Sequence, residues 1–107
     1  MYIVTEAWFP AKNAAEVGKL YLEMMKKYPD DRSIAKPIIQ SSIRSVKDGI
    51  HALGVSSIKP GKVKEAMDLV SNRLLMMASI EGYIYEIYIT YDIVEAMPLV
   101  GLQAPPE

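Results

Sequence analysis

The sequence predicts one small α+β domain whose elements run β-α-β-β-α-β. Three observations carry this expectation. Residues 2–9 and 83–94 are rich in alternating β-branched and aromatic side chains, as strands are. Two stretches, after Asn13 and after Lys62, repeat apolar residues at helical spacing. Between them, Asp48-Gly49 divides a long strand-like stretch at the strongest short hairpin signal. A chain of 107 residues has room for one such domain and not for two.

The first strand, residues 2–9, ends at Pro10, which has no N–H to give to a ladder. Asn13 is a good N-cap, and Glu16 stands three residues on, the spacing of a capping box. Val17, Leu20, Tyr21, Met24 and Tyr28 then mark the inner stripe of a helix. Lys26 and Lys27 fall in its last turn, where cations suit the dipole, and Pro29-Asp30-Asp31 closes it. Gly18 costs this helix up to about 1 kcal/mol relative to alanine, which suggests a close approach of helix to sheet.

Residues 34–47 read as a second strand, and Pro37 near its start points to an edge position. Residues 50–58 return from the hairpin, and Lys59-Pro60-Gly61 turns the chain. Val63, Ala66, Met67, Val70, Leu74 and Met77 trace a second amphipathic helix, with Lys62, Lys64, Glu65, Asp68 and Asn72 facing out. Glu81-Gly82 is expected to end it, with Gly82 at the position after the cap. Residues 83–94 supply the last strand. The domain is thus expected over residues 1–96, followed by a tail, 97–107, apolar from Met97 to Leu102, that can pack on a neighbouring subunit.

The element order is that of the split βαβ, or ferredoxin-like, fold. Right-handed crossovers put both helices on one face of a four-stranded antiparallel sheet, with the first and third strands central. The other face must then be polar or be covered. Parity separates Ile3, Thr5, Ala7 and Phe9 from Tyr2, Val4, Glu6 and Trp8 in the first strand. In the last strand it separates Tyr83, Tyr85, Ile87, Ile89, Tyr91 and Ile93 from Ile84, Glu86, Tyr88, Thr90, Asp92 and Val94. Neither strand has a purely polar side. An apolar patch of that size is more than a monomer usually exposes, and two-fold pairing is the commonest way to cover one. The expectation is a homodimer or higher homo-oligomer.

With this order of elements, strand patterning and lack of cysteine, the chain resembles the dimeric α/β-barrel superfamily over residues 2–94. In that superfamily two ferredoxin-like sheets pack into one barrel. Its members include cofactor-free monooxygenases, haem-degrading enzymes, small isomerases and amino-acid-sensing regulatory domains. The resemblance implies a pocket between sheet and helices or inside the barrel, and no particular reaction.

Composition excludes several classes. Twelve basic against thirteen acidic residues give a net charge of −1, too little basic surface for a nucleic-acid or anionic-membrane binder. With no cysteine there is no disulfide, thiolate nucleophile or Cys-based metal site, and a lone histidine cannot build a multi-histidine one. No cofactor is implied. The first residues lack the basic start and apolar run of a signal peptide, and no apolar stretch is long enough to span a membrane, so a cytoplasmic location is expected.

The candidate chemistry is sparse. His51 is the sole histidine and lies on the third strand; with a carboxylate nearby it can act as a general base. Glu6 is a carboxylate within an apolar strand, able to act as acid or base, and Glu86 can share its face; the plainer role for both is an ion pair, with Arg44 as a partner. Arg44 can also clamp a ligand carboxylate. Trp8, Tyr85 and Tyr88 can line an aromatic pocket, though core or interface packing explains them equally. The functional expectation is a homodimeric small-molecule-binding or regulatory module. The alternative is a cofactor-free monooxygenase or isomerase-like enzyme on a small apolar substrate, with His51 or Glu6 as base. The third possibility is a structural or assembly protein in which the tail from Met97 to Leu102 swaps onto a neighbour.

Overall fold

The computed structural model describes residues 1–105. Pro106 and Glu107, the end of the predicted tail, lie outside the described residues. The elements are β1 (Tyr2–Phe9), α1 (Ala14–Lys27), β2 (Ala35–Val46), β3 (Gly49–Ile58), α2 (Val63–Leu75), β4 (Ile84–Thr90) and a single helical turn, α3 (Ile93–Ala96). The four strands form one sheet in the order β2-β3-β1-β4. Every neighbouring pair is antiparallel, which is the ferredoxin-like topology. β1 and β3 are central, and β2, with its Pro37, is an edge.

The β2–β3 hairpin turns through Lys47 and Asp48, with Val46 opposite Gly49. Gly49 sits at a φ of 151°, and a Cβ there would come within 2.2 Å of the Phe9 carbonyl oxygen. Only glycine fits that spot. β2 carries two irregularities, between Pro37 and Ile39 and between Ile39 and Ser42. Each sets one extra β2 residue against β3, as a β-bulge does. Because there are two, parity is restored across them, and Lys36 before them lies on the same face as Arg44 after them.

The core has two parts, both on the helix side. Ile3 and Ile58 of the sheet meet Ala66 of α2, with Met67, Val70, Ile87 and Ile89 around them. Met24 of α1 meets Met77 and Ile80, which follow α2, with Val17, Leu20, Tyr21 and Tyr83 around them. α1 therefore rests on the segment after α2 rather than directly on the strands. Arg73 holds that arrangement: its Nε donates to the Tyr28 carbonyl oxygen at 2.8 Å, closing the C-terminus of α1, and its Nη2 donates to Asp30 Oδ1 at 3.0 Å.

Four sequence expectations are corrected. Asn13 does not cap α1 with its side chain. A 3₁₀ turn over Ala11–Asn13 precedes the helix, and its carbonyls already take up the leading N–H groups: Asn13 N donates to Pro10 O and Ala14 N to Ala11 O. Gly18 does not allow close packing, since a Cβ on it would meet nothing within 4 Å. α2 ends at Leu75, and tight turns through Met77 and Ile80 lead to Gly82, so Gly82 is not its cap. β4 stops at Thr90 because Asp92 and Glu95 form a reciprocal capping box that starts α3.

Candidate functional site

The helix-free face of the sheet carries a chain of polar side chains that crosses all four strands. Register places Arg44, His51 and Trp8 side by side, and places Glu6 directly opposite Glu86. Arg44 Nε donates to His51 Nδ1 at 3.2 Å. His51 Nε2 lies 3.0 Å from Glu6 Oε1, and the Tyr88 hydroxyl donates to Glu6 Oε2 at 3.0 Å. The Trp8 ring lies over His51, with centroids 5.1 Å apart and planes at 38°.

The chain fixes its own protons. A guanidinium N–H can only donate, so Nδ1 of His51 must accept. The ring proton then sits on Nε2 and points at Glu6. Both carboxylate oxygens of Glu6 are occupied, and His51 is only 6 % exposed. The hydrogen bond to Glu6 also holds the Tyr88 phenol above its ordinary range, with burial and the two nearby carboxylates adding to the effect. The flanks of this face are open: Ser42 and Arg44 on one edge, and Ile84, Glu86 and Tyr88 on the other, are exposed.

The helix side carries a different feature. Because α1 stands off the strands, a cleft of about 450 Å³ opens between them. Ile3, Thr5, Ala7 and Phe9 of β1 form its floor, and Val17, Gly18, Tyr21 and Met24 of α1 form a wall. Gly54 of β3 deepens it: a Cβ there would lie 2.8 Å from Thr5 Oγ1. Arg73 and Asp30 border the cleft but bind each other. Tyr83, stacked on Phe9 with centroids 5.8 Å apart, is pushed up to about 12 by burial, so its phenol stays neutral.

The residues singled out by sequence divide between these two places. His51, Glu6, Arg44, Trp8, Tyr88 and Glu86 all lie on the helix-free face, the first five in mutual contact. The predicted ion pair between Arg44 and a glutamate is replaced by the bond from Arg44 to His51. Tyr85 lies on the other side, paired with Ala7 and tilted against Tyr83. Glu6 also borders the cleft, from the strand whose opposite side carries its carboxylate. Arg73 was not anticipated. Its signal was a cation on the inward stripe of α2, beside Val70 and Leu74, where only a paired charge is tolerated.

Among the described residues, no three His, Asp or Glu side chains converge as a metal site would require, and no helix is long and apolar enough to cross a membrane. Neither a scan against protein-family models nor a search of curated proteins finds a match to this chain.

Proposed function

We propose that the protein is a homodimeric small-molecule-binding module that takes an uncharged, largely apolar ligand between sheet and helices. The cleft of about 450 Å³ carries this reading. It falls within the range of about 300–1,000 Å³ usual for ligand pockets. Its lining is mostly aliphatic, aromatic and methionine side chains, with Thr5, Gln40, Ser41 and Ser56 among the hydrogen-bonding groups. The charges at its border, Arg73 and Asp30, are already paired, so nothing there favours an ionic ligand. Methionines such as Met24 and Met77 let the walls adapt to shape. In the same reading, a second copy covers the helix-free face, where Trp8, Leu53, Val55, Ile84 and Tyr88 supply apolar area.

Titration with a neutral apolar dye such as Nile red tests the cleft. Wild type should bind with a fluorescence rise. Gly18→Trp, which plants a ring in the cleft, should lose the signal, and Leu22→Trp on the exposed side of α1 should keep it. Equal binding by both variants would remove the cleft from the account.

One observation favours an enzymatic alternative: the hydrogen-bonded chain Arg44–His51–Glu6–Tyr88. A general base needs a free lone pair. The one lone pair of the His51 ring is taken by Arg44, so His51 becomes a base only when Arg44 swings away. Arg44 is exposed and free to do so. On that reading, His51→Ala and Glu6→Gln would abolish turnover of a small apolar substrate without affecting dye binding in the cleft.

A further inference from the structure

The helix-free face is electrostatically lopsided. Its β2 edge presents Arg44 and Lys36, and its β4 edge presents Glu86 opposite Glu6. Two carboxylates directly across a ladder destabilise it unless something compensates. Glu6 is compensated by His51 and Tyr88. Glu86 is exposed and, among the described residues, has no hydrogen-bond or ion-pair partner. Arg44 spends only its Nε on His51, which leaves both terminal nitrogens of the guanidinium free among the described residues.

We propose that Arg44 of one copy binds Glu86 of a second copy, twice about a two-fold axis, and that this pair sets how the two sheets face each other. The inference rests on the homodimer proposed above and specifies its geometry. Two identical sheets meeting face to face have two simple two-fold arrangements. With the axis across the strands, each strand lies on its own copy, so basic edge meets basic edge and Glu86 meets Glu86. With the axis along the strands, β2 lies on β4 of the other copy. Arg44 shares its register row with Ile84, so in the second arrangement it sits over Ile84 of the second copy. Glu86 is the next residue on that face, about 7 Å along the strand, which an arginine side chain can span. Only this arrangement brings opposite charges together, and like charges brought together across an interface are the costlier outcome. The guanidinium then bridges from His51 in its own chain to a carboxylate in the other, joining the two polar chains into one.

Charge reversal tests the pair. Arg44→Glu and Glu86→Arg should each weaken self-association by about tenfold or more, because each homodimer then has two like-charge contacts. Mixed in equal amounts, the two variants should form a heterodimer, since both contacts become opposite-charge again. Sedimentation velocity reads all three. Variants that dimerise like wild type, or folded variants that stay monomeric when mixed, would overturn the pairing while leaving the dimer standing. A monomeric wild type would overturn both. Should Arg44→Glu fail to fold, Glu86→Arg decides alone: it must dissociate more than Glu86→Gln, and added salt must narrow the difference. Equal behaviour of the two refutes the contact.

Discussion

His51 Nε2 lies 3.0 Å from Glu6 Oε1 on the adjacent central strand, while Arg44 Nε occupies the other ring nitrogen from 3.2 Å. This wiring makes a direct prediction. Long-range ¹H–¹⁵N spectra at neutral pH should show the Nε2–H tautomer, with Nδ1 unprotonated. His51→Phe keeps an aromatic ring against Trp8 but leaves Glu6 and Arg44 each short of a partner. Urea unfolding should show a loss of about 1–3 kcal/mol, the cost of an orphaned half-buried polar group. A neutral effect would mean that the chain contributes nothing to the fold.

Tyr83 gives a prediction at alkaline pH. Burial raises its phenol from an ordinary 10.0 to about 12. Between these values the unfolded chain releases the proton and the native chain keeps it. The native state then holds more protons, so stability falls as pH rises through this window and is intact below it. Tyr83→Phe should flatten the decline when unfolding free energy is measured from pH 9 to pH 12. An unchanged slope would show that Tyr83 is hydrated.

Gly18 gives a prediction of sign. It lies inside α1, and a Cβ there would touch nothing within 4 Å. Gly18→Ala should therefore stabilise the protein by about 0.5–1 kcal/mol, through the entropy that glycine loses in a helix. Destabilisation in thermal or urea unfolding would mean that α1 closes on the strands and that the cleft is smaller in solution.

Much of the fold could be read from the residues themselves. Alternation in 2–9 and the apolar stripe from Val63 to Met77 report burial directly, and Asp48-Gly49 reports the hairpin. Element order then leaves one favoured topology, which the sheet order bears out. What failed were the ends. Alternation continues past Thr90 into Tyr91, Ile93 and Val94, and it hid a local competitor: Asp92 and Glu95 have the spacing of a capping box and start a helical turn. At Asn13 the same kind of spacing misled, because a preceding 3₁₀ turn had already satisfied the donors.

The candidate site was legible as a set of residues and not as a network. Parity grouped Glu6 with Trp8, and grouped Glu86 with Tyr88. It could not align the start of β2 with β3, because two irregularities between Pro37 and Ser42 shift that register. The Arg44–His51 pairing lies on the turn side of both and follows from the hairpin, which sets Val46 opposite Gly49. The cleft was equally hidden, since it arises from where α1 rests, on Met77 and Ile80, and not from any motif.

The proposed second copy on the helix-free face of the sheet is the feature from which the rest follows. Sedimentation equilibrium of the wild-type protein at micromolar concentration is the direct test. The predicted result is a species of twice the 12.0 kDa chain mass, dissociating when Trp8 or Tyr88 is replaced by a charged residue. A stable species of single-chain mass across the concentration range would contradict it.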